Sequence, residues 1–83
     1  MNAVQCKMAR AALGLTVRQL AESAGVSHDT IVRLEGGQPL KDRTVAAIRA
    51  ALESAGVILV DENGEGPGVR LRKAPQGTGG LGK

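Results

Sequence analysis

Eighty-three residues with a formal charge of +3 allow one small domain with a modest core, so limited stability is expected unless a partner copy helps. Phe, Tyr and Trp are all missing, so beyond the single imidazole of His28 there is no ring to stack on an unpaired base; this argues against the aromatic-platform modes of RNA and single-strand binding, while mild basicity suits a polyanion. One cysteine, Cys6, excludes an internal disulfide; no leader pattern is visible and no apolar run nears about 20 residues, so a cytoplasmic protein without a membrane partner is expected.

The first predicted helix runs from about Ala3 to Leu13, closed by Gly14, with Cys6, Ala9 and Leu13 turned inward. Cys6 reads as a small buried hydrophobe. From Thr16 to Glu35 the chain reads TVRQLAESAGVSHDTIVRLE, two short helical stretches hinged at Gly25. Thr16 is placed to cap the first, and Gln19 completes a capping-box pattern. Leu20 and Ala21 form its inner face, where Ala21 has to be small because the second stretch crosses close to it. Gly25 falls where the turn needs a left-handed backbone, which costs least without a Cβ. Val26 plugs the turn and Ser27 caps the second helix, whose Ile31 and Leu34 share a buried face. These positions together predict a helix-turn-helix, a device that points to duplex DNA. A helical hairpin inside some other small bundle is the plainer alternative.

Gly36, Gly37 and Pro39 then form a loop, and Asp42 is expected to cap a helix running to about Ala55. Val45, Ile48, Leu52 and Ala55 make its apolar stripe, and Gly56 ends it. The segment VILVDENGEGPGVRLRK reads as a β-hairpin, with strands from Val57 to Val60 and from Val69 to Arg72. Its first strand is apolar on both faces, Val57 and Leu59 one way, Ile58 and Val60 the other. One face can cover the helices; the other needs a second copy, so Val57, Ile58, Leu59 and Val60 are the expected dimer interface, with edge pairing as one geometry. Arg70, Arg72 and Lys73 are assigned to solvent or the interface rim, with DNA phosphate as the alternative. From Ala74 onward apolar content is too low to pack, and a disordered tail is expected. The expected organisation is a DNA-binding domain over residues 1–56, a dimerising hairpin over 57–73 and a tail over 74–83. A chain ended after Gly56 is expected to keep the helix-turn-helix and lose the partner surface.

The segment RAALG from Arg10 to Gly14, the threonine-initiated LAESAGVS, and Glu35 and Gly37 beyond them resemble the lambda-repressor-like, or Xre-type, helix-turn-helix regulators of phages and bacteria. The likeness spans about Cys6 to Ala55. It implies a mainly α fold, a bundle of about four helices that is here followed by the C-terminal β-hairpin. It also implies an ion pair between Arg10 and Glu35, which suits a partly buried guanidinium needing a carboxylate of matching forked geometry. Two separate solvated charges are the alternative. By the same resemblance Lys41 and Arg43 lie near the DNA backbone or the adjacent minor groove, against a plain role as surface charge. One position departs from the family, which often has glutamine at the first residue of the motif's first helix, in contact with phosphate. Here it is Val17, which leaves Thr16, Arg18 and Gln19 as the backbone-contact candidates nearby.

With the helix at residues 28–35 in a major groove, Ser27, His28, Asp29, Thr30, Val32 and Arg33 are the base-reading candidates. Arg33 leads, since a guanidinium bonds guanine O6 and N7 together, although arginine contacts phosphate as readily. Asp29 can accept from cytosine N4 or simply favour the positive helix terminus, and Val32 can cover a thymine methyl. Ser27, His28 and Asp29 spell a hydrolase triad, but consecutive helical residues point about 100° apart and cannot relay a proton. One histidine and one cysteine assemble no zinc site, and GEGPG lacks the lysine and helix of a phosphate cradle. The expectation is a non-enzymatic, homodimeric repressor reading a palindrome in double-stranded DNA, without cofactor or small-molecule ligand. The alternative is a protein-interaction module, an antitoxin or anti-activator, reusing the same fold.

Overall fold

The computed structural model describes residues 1–61 and 64–72 of the chain. Four helices come first: α1 (Ala3–Leu13), α2 (Val17–Ala24), α3 (His28–Glu35) and α4 (Asp42–Ala55). An antiparallel hairpin of β1 (Val57–Val60) and β2 (Gly68–Leu71) follows, with Val57 opposite Leu71 and Leu59 opposite Val69. The mainly helical bundle with a terminal hairpin is the architecture that the periodicities predicted.

Helices this short depend on their ends, because each terminus leaves backbone groups without intrahelical partners. Thr16 Oγ1 accepts from Gln19 N at 3.1 Å and Gln19 Oε1 accepts from Thr16 N at 2.9 Å, a complete capping box on α2. Ser27 Oγ accepts from Thr30 N at 3.1 Å and caps α3. Gly14 and Gly25, at φ of +70° and +71°, turn the chain out of α1 and α2; a side chain at either would be strained even where space is open. A second capping box, unanticipated, joins Asn2 and Gln5 at the start of α1. Asp42 is not a cap. It is the first residue of α4, Lys41 holds the cap position without a side-chain bond, and the Asp42 carboxylate instead sits in the positive field of the first turn.

One core serves helices and hairpin alike. α2 packs against both α3 and α4, and Ala21 is buried beneath that crossing as its size requires. Leu20, Ile31, Ile48 and Leu52 fill the centre. Ala55, expected on the α4 stripe, is exposed, since Gly56 has begun to turn the chain and Leu52 is the last core position on that helix.

The hairpin corrects one expectation about interfaces. Val57 and Leu59 are buried in the chain's own core, so of the four β1 residues assigned to a partner surface only Ile58, 42% exposed, and the half-buried Val60 remain available. The second strand begins at Gly68 and ends at Leu71, one residue earlier at each end than its sequence pattern suggested. Arg72 follows it and donates its backbone N–H to Gly56 O at 2.7 Å. At the other end, the buried Gln5 amide donates from Nε2 to Val60 O at 2.8 Å and to Gly68 O at 3.1 Å. Both ends of the hairpin are thereby tied down, one of them directly to α1. Lys73 and the predicted tail at 74–83 lie outside the described residues.

Candidate nucleic-acid interface

On α3 the spacing of apolar residues decides which face is free. Ile31 and Leu34 are buried, which leaves His28, Asp29, Val32 and Arg33 exposed together on the opposite side, with Val32 47% exposed. Thr30 is half-buried, and its hydroxyl lies 2.7 Å from that of Ser27. Ser27 and Thr30 are thus engaged with each other and with the helix terminus. Arg33 is held by one side-chain bond among the described residues: its Nε donates to Gln38 Oε1 at 3.2 Å.

The far end of α3 is clamped to α1. Arg10 Nε and Nη2 donate to Glu35 Oε2 and Oε1 at 2.9 and 3.0 Å, a bidentate pair, while Arg10 Nη1 reaches Leu15 O at 3.2 Å. Side-chain exposure is 25% for Arg10 and 10% for Glu35, so water screens the pair only weakly. Cys6 adds a third bond, its Sγ donating to Glu35 Oε2 at 3.3 Å. Burial alone would raise the Glu35 pKa, but the hydrogen bonds from Arg10 and Cys6, with the nearby positive charges, outweigh it and hold the carboxyl below its ordinary range. The Cys6 thiol is pushed up to about 12, first by burial and then by its bond to Glu35 and that carboxylate's charge, against the opposing charge of Arg10.

A raised thiol pKa means that Cys6 stays neutral and unreactive while the fold holds. In the native protein at neutral pH, a thiol-specific reagent should label Cys6 no faster than the chain unfolds, and denaturant should release full reactivity. Prompt stoichiometric labelling of folded protein would contradict this burial. The linked stability is complete below the ordinary thiol value of 9.0 and is lost as pH rises from there through about 12, because the unfolded thiol gives up its proton first.

The backbone-contact candidates lie at the starts of α2 and α4. Arg18 is exposed at the start of α2, while Thr16 and Gln19 spend one oxygen each on the capping box. Val17 packs against the core instead of reaching outward, as its apolar side chain dictates. Lys41 and Arg43 are exposed at the start of α4. An open recess lined by Thr30, Arg33, Pro39, Leu40, Lys41 and Thr44 joins that terminus to α3. Its charged residues are both cationic, and the helix terminus adds positive potential.

Three contributors carry little signal in the sequence. The spacing of Asn2 and Gln5 is that of a capping box, whereas the reach of Gln5 to the hairpin has no local sequence signature. The Cys6 bond to Glu35 and the Gln38 bond to Arg33 depend on where helix ends meet, which periodicity does not encode.

The pattern of a protein family described as a helix-turn-helix domain matches residues 3–59. Comparison with curated proteins gives no match.

Proposed function

The chain belongs to the helix-turn-helix domain family, and on that premise we propose that it is a sequence-specific regulator of transcription that binds double-stranded DNA with α3 in the major groove. The exposed face of α3 carries this reading: His28, Asp29, Val32 and Arg33 stand exposed on a helix whose two ends are fixed by the Ser27 cap and the Arg10–Glu35 clamp. Ser27 and Thr30, at the start of the same helix, complete the base-reading set. Lys41, Arg43, Arg18, Thr16 and Gln19 contact the phosphate backbone on either side. Within the wider family the reading is of the lambda-repressor-like, Xre type, working as a homodimeric repressor on a palindrome. The division of labour follows the chain: residues 1–56 meet DNA and the hairpin, through Ile58 and Val60, meets a second copy. No helix among the described residues is long and apolar enough to cross a membrane.

Selection of duplexes from a randomised pool, followed by binding measurements on variants, tests this reading. Arg33→Ala should cost about 1 to 3 kcal/mol on the selected duplex and relax preference at one base position, with the fold intact. Lys41→Ala or Arg43→Ala should weaken all sequences alike and reduce the slope of log affinity against log salt by about 0.9 for each phosphate that is no longer neutralised. Equal losses for Arg33→Ala on selected and random duplexes would reassign Arg33 to phosphate. Failure to enrich any duplex would overturn DNA binding and favour a protein partner for the α3 face.

A further inference from the structure

The turn that follows α3 is built to bring one side chain back onto it. Gly37, at φ of +86°, takes the left-handed position; its N–H donates to Leu34 O at 3.0 Å, and the next N–H, of Gln38, donates to Arg33 O at 3.0 Å. This pair of reversed bonds is the Schellman arrangement, in which the residue after the glycine lies beside the third residue from the helix end, usually in apolar contact with it. Here those two residues are Gln38 and Arg33, and a polar bond replaces the apolar contact. Arg33 Nε donates to Gln38 Oε1 at 3.2 Å, and because a guanidinium only donates, the amide must turn its oxygen inward.

We infer that Gln38 is a positioning residue for Arg33: by accepting from Nε it orders the guanidinium and leaves Nη1 and Nη2 as the donor pair for a guanine edge. The inference rests on the reading of α3 as the DNA-reading helix. An exposed arginine keeps many rotamers, and ordering it at the moment of binding costs affinity; a side chain ordered beforehand avoids part of that cost. The backbone bond from Gln38 N to Arg33 O makes the side-chain bond inexpensive, since it closes a ring whose ends are already adjacent. Engagement of Nε also selects among modes of recognition. A guanidinium can present either its Nε edge or its terminal Nη pair to guanine, and the Nε edge is occupied.

The test measures Arg33→Ala, Gln38→Met, Gln38→Glu and the Arg33→Ala/Gln38→Met double variant of the full chain on a duplex that the unaltered chain selects from a randomised pool. Gln38→Met keeps the length and removes the acceptor. It should lower affinity for the selected duplex roughly three- to tenfold, the range expected for one newly mobile side chain, and flatten preference at the position that Arg33→Ala relaxes. Thermal stability and random-duplex affinity should not change. In the Arg33→Ala background the same substitution should cost nothing further. Gln38→Glu keeps the acceptor and should preserve the base preference while its charge weakens every duplex. Without DNA, the Arg33 Nε–H should exchange with water more slowly than that of Arg18, and Gln38→Met should erase the difference. A Gln38→Met cost of equal size in both backgrounds would mean that Gln38 touches DNA itself and would overturn the inference. So would unchanged base preference in Gln38→Met, or an Arg33 Nε–H exchanging as fast as Arg18's. A chain that selects no duplex would sink the DNA reading and this inference together, whereas selection without these Gln38 effects would sink the inference alone.

Discussion

Glu35→Ala should lower the unfolding free energy by about 2 to 4 kcal/mol, one of the largest effects expected of any single polar substitution in the chain. The figure lies below the full range for a buried pair because Arg10 keeps a quarter of its side-chain surface in water. Removal of the carboxylate strands the Arg10 guanidinium and leaves the Cys6 thiol without its acceptor. In a domain of this size, a loss of about 2 kcal/mol already lowers the melting temperature by roughly 8 to 16 °C, which thermal unfolding followed by circular dichroism reads directly. Arg10→Met with Glu35→Leu should recover much of the loss, because a well-packed apolar pair avoids the cost of burying charge. The sign of the pH dependence is set by the depressed Glu35 pKa. Its contribution is complete above the ordinary carboxylate value of 4.5 and fades as pH falls below that value towards the native pKa, because the unfolded carboxyl takes up its proton first. Glu35→Gln should therefore flatten the acid limb of the stability profile. An unchanged melting temperature in Glu35→Ala would show that the clamp carries no stability.

The helices were legible because their determinants are local. Thr16 with Gln19, Ser27 with Thr30, and the left-handed Gly14 and Gly25 lie within four residues of the groups they satisfy, and the inward positions Leu20, Ala21, Ile31 and Leu34 follow a single period. Asp42 was misplaced by one position because a carboxylate is favoured both at a cap and in the first turn, and sequence does not separate the two roles. The candidate interface was legible as a face and opaque in its detail. Alternation on α3 identifies His28, Asp29, Val32 and Arg33 as outward, but the Gln38 acceptor depends on the turn geometry at Gly37. The same limit explains β1. An apolar strand with no charged residue has two faces to cover, and only the packing of α1 and α4 shows that Val57 and Leu59 are already covered.

That burial changes what the hairpin does when it is removed. From sequence, a chain ended after Gly56 is an intact monomeric helix-turn-helix, yet the truncation deletes Val57 and Leu59 from the core and takes both acceptors from the buried Gln5 amide. Loss of a single large buried aliphatic side chain costs about 2 to 5 kcal/mol, and two such losses with an unpaired amide are comparable to the whole stability of a small domain. The truncated chain should therefore be largely unfolded at room temperature, with α-helical circular dichroism far below that of the full chain. A truncated chain with a cooperative thermal transition near that of the full chain would show that the hairpin is an accessory to the core. Truncation consequently says nothing clean about assembly, and the dimer has to be tested on the outer face alone. Ile58, exposed and opposite Arg70 in the hairpin, is the position where a lysine meets water and no core residue. Ile58→Lys should keep the melting temperature measured at low protein concentration while turning a sedimenting dimer into a monomer. On a palindrome with half-sites about 34 Å apart, that monomer should lose far more affinity than on a single half-site, because one bound subunit no longer delivers the second. A dimer that survives Ile58→Lys would move the interface away from β1, with the exposed small residues Ala50 and Ser54 on α4 as the next surface to substitute.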